Sequence, residues 1–300
     1  MIKYLSNTEI DRNKWAHCIE NRENKLIYAD ADYLDLVFEN WGALVKDDYV
    51  AVMPLFPAKK LGFNYLTQAF YVQQSGVFST EKTEFIRTED FFNALPDNFK
   101  FIDIQLNFKN LAPKIKLQRK TKRVNQLLYL NNSYENLQKR FSDSHKKNIR
   151  RAIKCGLFYE EFDDSDIFFS FKKHNKSNYQ ESIDVLKKID SGLRKKQFIR
   201  YFGVKNQEGN WISVAMFIEW KNRLTWLSSG TTESGKESKA MFYLVDNIIN
   251  KYAGKDIYLD FAGSTIPGVW AFNNGFGAKE EIYYRISINK LPAIIRWLKK

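Results

Sequence analysis

Between residues 223 and 286 the spacing of apolar and polar positions changes period several times. Residues 223–229 read as a strand, residues 240–253 as a helix closed by Gly254, and residues 256–261 as a second strand. A glycine-bearing loop follows each strand: residues 230–239, with Gly230 and Gly235, and residues 262–268, with Gly263 and Gly268. A short helix and a last strand reaching Ile286 complete the run. A helix N-terminus facing the end of a buried strand presents backbone amides to anionic oxygens. The 230–239 loop is therefore the leading ligand candidate, with Ser238 and Lys239 as additional donors beside the amides that open the next helix at Ala240.

Upstream, residues 198–204, 211–220 and 223–229 form a meander, with Lys221 and Asn222 as a tight turn. Before it come a strand at 125–130 and helices at 133–141, 144–155, 166–176 and 183–196. In the 144–155 helix, Ser144 is the expected cap and Gly156 the stop. Ile149, Ala152 and Ile153 make its apolar stripe, opposite Lys147, Arg150, Arg151 and Lys154. The first half of the chain reads as a helix at 29–40, strands at 42–46, 49–57, 71–78 and 99–107, and a short helix at 89–95. Ile102, Ile104 and Leu106 alternate with Asp103 and Gln105.

Residues 45–53 and 204–216 echo one another: a strand ending in Val-Lys, polar turn formers, then an apolar strand. Their separation by about half the chain fits a duplicated domain. Residues 114–123 hold six basic residues and form the expected crossover, which puts the domains at 1–120 and 121–300.

The composition, 44% hydrophobic and 16% aromatic over 300 residues, suffices for one large core or two smaller ones. A net charge of +12 favours anionic partners such as phosphates, RNA or an anionic membrane face. Cys18 and Cys155 give no disulfide framework, and His17, His145 and His174 lack metal-ligand spacing, so no metal is expected. There is no nucleophile elbow and no phosphate-binding loop of the Gly-Lys-Ser/Thr type. No signal segment or membrane span is evident, and a cytoplasmic protein is expected. Residues 291–300 are apolar and basic. They read as a closing helix and leave room for a peripheral membrane contact.

Two stretches carry a resemblance. One contains Asp260, Phe261, Gly263, Ser264, Gly268, Trp270, Phe272, Phe276, Gly277 and Ala278; the other is the basic helix at 144–156. In order and separation they resemble the two-domain, Fem-like branch of the GNAT acyltransferases, over roughly the last half of the chain. The resemblance implies an α/β (α+β) fold of two tandem GNAT-like domains, each a mixed, mostly antiparallel sheet flanked by helices. It also implies transfer of an acyl or aminoacyl group from acyl-CoA, as co-substrate, or aminoacyl-tRNA to an amine acceptor, such as a cell-envelope or polysaccharide precursor. The 234–240 loop lacks the glycine spacing of typical CoA-binding members. A nucleic-acid-binding protein and a protein-binding scaffold on the same fold are the alternatives.

Candidate roles follow. Ser228, Ser229, Gly230, Gly235, Ser238, Lys239 and Ala240 would hold the donor. Asp260 would orient or deprotonate the attacking amine. Ser264 would donate to the carbonyl oxygen, and Tyr283 or Tyr284 would protonate the leaving group. Gln73, Gln74 and Ser75 would face the acceptor in the first domain. Lys147, Arg150 and Arg151 would meet phosphates without reading sequence, and Trp270 and Asn273 would complete the substrate contacts.

Overall fold

A computed structural model describes residues 1–20, 24–81, 84–116, 118–172, 180–263 and 265–296. The chain divides into two units, one comprising Met1–Arg123 with the chain from Ile282 onward, the other Val124–Glu281.

In the first unit, β1 (Ile2–Ser6) precedes α1 (Arg12–Glu20) and α2 (Ala31–Val37). Strands β2 (Gly42–Lys46), β3 (Ala51–Leu55), β4 (Pro57–Lys60), β5 (Phe63–Leu66) and β6 (Phe78–Ser79) follow, then α3 (Glu89–Asn93) and β7 (Phe99–Gln105). One sheet runs β1-β2-β3-β6, antiparallel throughout. In the other, β4 pairs with β5 antiparallel and β5 with β7 parallel.

The second unit begins within β8 (Gln118–Tyr129) and continues through α4 (Tyr134–Lys139), α5 (Asp143–Lys154), β9 (Phe158–Phe162), α6 (Ser165–Ser170) and α7 (Gln180–Arg194). The meander β10 (Ile199–Lys205), β11 (Trp211–Trp220) and β12 (Arg223–Thr231) leads to α8 (Glu233–Glu237), α9 (Ala240–Tyr252), β13 (Tyr258–Asp260) and α10 (Pro267–Asn274). The sheet order is β8-β13-β12-β11-β10-β9, with only the β12–β13 pair parallel. This is the mixed, mostly antiparallel sheet flanked by helices that the resemblance implies.

β14 (Lys279–Asn289) and α11 (Ala293–Arg296) end the described chain. β14 pairs antiparallel with β7, and Ile286 and Ile288 are buried with Ile102 and Ile104 in the core of the first unit. The expected division at 1–120 and 121–300 gives this strand to the second domain. Apolar burial against β7 gives it to the first.

Local expectations shift for physical reasons. The expected strand at 71–78 is short β6 alone, preceded by turns at Tyr71 (φ 60°) and Gly76 (φ 82°). The 230–239 loop is largely regular: β12 runs on to Thr231, and Thr232 caps α8 by accepting from the Gly235 amide at 3.1 Å. In α5 the cap is Ser142 rather than Ser144, and it accepts from the His145 amide. The buried stripe of α5 is His145, Ile149 and Ala152, one per turn against α9, while Ile153 is exposed. The C-terminal part of the helix expected at 166–176 falls outside the described residues.

Candidate active site

Two parting strands build the site. β12 pairs with β11 along its length, with Leu227 as an extra, bulged residue between Trp226 and Ser228. On its other side β12 pairs with β13 through Arg223, Leu224 and Thr225 only. β13 then ends, and Ala262 (φ 53°) and Gly263 (φ 49°) turn the chain away through two successive left-handed residues. A Cβ on Gly263 would lie 2.2 Å from the Val124 carbonyl oxygen, so only glycine fits this close approach. Asp260, fully buried, fixes the turn. One carboxylate oxygen accepts from the Ala262 amide at 2.8 Å and the other from Arg223 at 2.8 Å.

The divergence opens a cavity of about 650 Å³, within the size range of small-molecule sites. Its apolar walls include Trp226, Phe242, Phe261 and Phe272, and its polar groups include Ser228, Ser229, Thr231 and Asn273. Lys236 and Lys239 border it where α8 gives way to α9. The packing there is close: a Cβ on Gly235 would lie 2.3 Å from the Ile212 carbonyl oxygen. Lys239, immediately before α9, has φ 63° and no side-chain cap, a backbone state that non-glycine residues adopt at a cost.

Two further groups adjoin this region that the sequence does not single out. Lys172, just past α6, donates to the Ser229 carbonyl on the β12 lip of the cavity and lies 5.1 Å from the Phe168 ring centroid. Burial pushes its ammonium down to about 8. His145 sits beneath the aromatic wall, in edge contact with Phe242 and Phe276. Its Nε2 is 2.8 Å from the Phe272 carbonyl oxygen and its Nδ1 is 2.8 Å from Ser142 Oγ. A carbonyl can only accept, so Nε2 carries a hydrogen and donates it to Phe272. Burial lowers its pKa against the opposing effect of that hydrogen bond.

Among the residues expected to hold the donor, Ser228, Ser229, Gly235 and Lys239 line the cavity. Gly230 stands in β12, where a Cβ would press on Phe171 at 2.7 Å. Ser238 Oγ donates to the Ser234 carbonyl at 2.8 Å, and Ala240 is fully buried in the core. Asn273 lines the cavity and donates to Gln126, whose amide in turn donates to the Trp270 carbonyl and to Asn274. Trp270 is half-exposed, and its indole donates to Glu280 at 2.8 Å.

Asp260 lies outside the cavity lining, committed to Arg223 and the turn. Ser264 lies outside the described residues. Tyr283, in the first unit, is buried and donates to Gln105 at 3.3 Å, and Tyr284 lies under Lys120. Gln74 and Ser75 are fully buried. Gln74 accepts from the Phe108 amide, and the Ser75 amide donates to the Gln105 carbonyl, so the two hold the end of β7 and the chain just after it. Gln73 precedes them in the same connection. Lys147, Arg150 and Arg151 lie on the exposed face of α5. Among the described residues no group of three His, Cys, Asp or Glu side chains is placed to hold a metal ion, and no helix is long and apolar enough to cross a membrane.

No protein-family model and no curated protein sequence matches this chain. Solved structures do match, over nearly the whole length. FemX superposes with a TM-score of 0.62 at 13% identity, covering 99% of this chain and 100% of that one. The C-terminal domain of a proposed lysylphosphatidylglycerol synthetase from Agrobacterium fabrum gives 0.57 at 10% identity, covering 97% and 95%. L-PGS from Bacillus licheniformis gives 0.53 at 11% identity, covering 96% and 95%. The chain therefore has the tandem-domain fold of the Fem-like, GNAT-type transferases.

Proposed function

We propose that the chain transfers an acyl or aminoacyl group from an activated thioester or ester donor to an amine acceptor. One observation carries this reading: β12 and β13 pair for three residues and then part around an aromatic-walled cavity, with lysines at one end. An open strand edge holds an extended donor arm by backbone hydrogen bonds. The aromatic walls exclude water from the acyl group, and Lys236 and Lys239 attract the anionic part of the donor.

In this reading the amine nitrogen attacks the donor carbonyl carbon, the new C–N bond forms, and the C–S or C–O bond of the donor breaks. The nitrogen gives up a proton and the departing sulfur or oxygen takes one. Most of the rate enhancement comes from holding the two reactants together and from donors aimed at the carbonyl oxygen. Lys172 is the candidate group for proton movement, because an amine poised near 8 exchanges protons readily at physiological pH. Asp260 acts as a positioning residue that keeps the strands apart.

Aminoacyl-tRNA is the donor we favour. The 234–240 segment is a short helix and a left-handed lysine rather than a tight glycine loop around a pyrophosphate. The names of the lysylphosphatidylglycerol synthetases among the similar structures also denote aminoacyl products. A cytoplasmic location fits this donor.

The test is donor binding by thermal shift with CoA, acetyl-CoA and longer acyl-CoAs, beside filter binding of charged and uncharged tRNA in moderate salt. Preference for charged tRNA, lost in a Lys236→Gln/Lys239→Gln variant, supports the reading. Stabilisation by acyl-CoA instead keeps acyl transfer and changes the donor. Binding of neither donor overturns the reading in favour of a scaffold.

A further inference from the structure

We infer that the first unit carries a separate binding pocket for a dianionic phosphate or pyrophosphate group of a small-molecule ligand. It is a cavity of about 330 Å³ lined by Arg119, Thr121 and Arg123 from β8, Asp103 and Phe101 from β7, Arg285 and Ser287 from β14, and Thr67. All of these residues belong to the first unit, and the reading stands independently of the proposed transfer reaction.

Strand periodicity selects this set. Arg119, Thr121 and Arg123 alternate with Lys120 and Lys122, so one face of the strand takes the arginines and hydroxyl and the other takes the lysines. Lys120 is accordingly on the opposite face, with Nζ 3.9 Å from the centroid of the Tyr284 ring. Arg285 and Ser287 alternate in the same way on β14, the strand between β7 and β8. The basic tract at 114–123 is thus no uniform stripe. The pocket takes its arginines, and those present planar donor forks.

Charge and chemistry then fix the ligand class. Three arginines face one carboxylate, so the lining has a formal charge of +2. Arg285 donates to Asp103 through both Nε (2.6 Å) and a terminal nitrogen, which holds its guanidinium in place against the strand. Arginine forks match the oxygens of a phosphate in pairs, and the hydroxyls of Thr67, Thr121 and Ser287 add single donors. Phe101 supplies an apolar wall for the organic part of a phosphate ester. An inorganic monoanion would leave both the charge and the donor array under-used.

Isothermal titration of the whole protein at low ionic strength tests this, with inorganic phosphate, pyrophosphate and glycerol 3-phosphate against chloride at matched ionic strength. The expected result is one site per chain for a phosphate species, weakened about tenfold or more by Arg119→Gln and by Arg123→Gln. Arg119 is exposed, so its variant retains the fold, which far-UV circular dichroism checks. Thr121→Val gives a smaller loss in the same direction. Stronger binding of glycerol 3-phosphate than of free phosphate supports the monoester form. Lys239→Gln, in the second unit, leaves the affinity unchanged. No binding above the chloride control, equal binding by the arginine variants, or loss of binding only in Lys239→Gln would each overturn the inference.

Discussion

The Arg223 guanidinium lies 2.8 Å from the Asp260 carboxylate at the point where β12 and β13 cease to pair. Asp260 is fully buried and Arg223 nearly so, and Glu281 lies 3.9 Å from the same arginine. Removing one member of a buried pair leaves an uncompensated charge. Arg223→Met is expected to cost about 3–5 kcal/mol in urea unfolding. Asp260→Asn keeps an acceptor for the Ala262 amide and is expected to cost less, while its folded fraction retains the wild-type pH profile of transfer. Loss of transfer in folded Asp260→Asn with donor binding intact would instead make Asp260 the base.

Lys239 combines a charged side chain with a left-handed backbone at the mouth of the cavity. Glycine adopts that conformation freely. Lys239→Gly is therefore expected to raise stability by roughly 1 kcal/mol while weakening the anionic donor several-fold. Lys239→Gln keeps the strain and loses the charge, so it separates the two effects. Thermal unfolding and donor titration on both variants provide the measurements. A destabilised Lys239→Gly would mean that the lysine side chain anchors the α8–α9 corner.

Most strands and helices of the second unit were legible because period and punctuation agree there, although β9 and α8 were not. β11 runs from Trp211 to Trp220 and α9 starts at Ala240, as the pattern predicts. The parting of β12 from β13 was not legible, because it depends on backbone turns at Ala262 and Gly263 and on a carboxylate satisfied from another strand. Asp260 reads in sequence as a group that orients or deprotonates the amine, and in space it is bonded to Arg223 and the Ala262 amide. Lys172 gave no local signal at all. Its contact is with Ser229, far along the chain, and its lowered pKa comes from burial that no spacing encodes. The fate of the last strand depended on which sheet could bury Ile286 and Ile288, a tertiary outcome.

Gly275 packs directly on the His145 ring, where a Cβ would fall 1.9 Å from the nearest ring carbon. The ring is buried and bonded at both nitrogens, so it has nowhere to move. Gly275→Ala is expected to destabilise by about 1–3 kcal/mol through overpacking. The wild type also has a pH signature here. The folded state depresses the His145 pKa below 6.5, so the unfolded chain binds the proton more readily. Stability present above 6.5 is therefore lost as pH falls from 6.5 towards the depressed value. A His145→Gln variant is expected to lose that slope in denaturant unfolding followed across this window.

Lys172 yields a test of the same sign on the alkaline side. Its folded pKa is about 8 against 10.5 for an ordinary lysine, because burial disfavours the ammonium. Between these values the unfolded chain holds the proton and the folded chain has released it, so unfolding free energy rises with pH across this window. Its contribution to stability is complete above 10.5 and is lost as pH falls through about 8. Lys172→Met removes that slope, and the difference in unfolding free energy between wild type and variant reads it directly. If Lys172 also moves the proton in transfer, kcat rises with pH through about 8 in the wild type and loses that limb in Lys172→Met, with KM for the donor little changed. A stability slope that disappears without any change in the kcat profile would leave Lys172 as a brace on β12 and assign proton movement to another group.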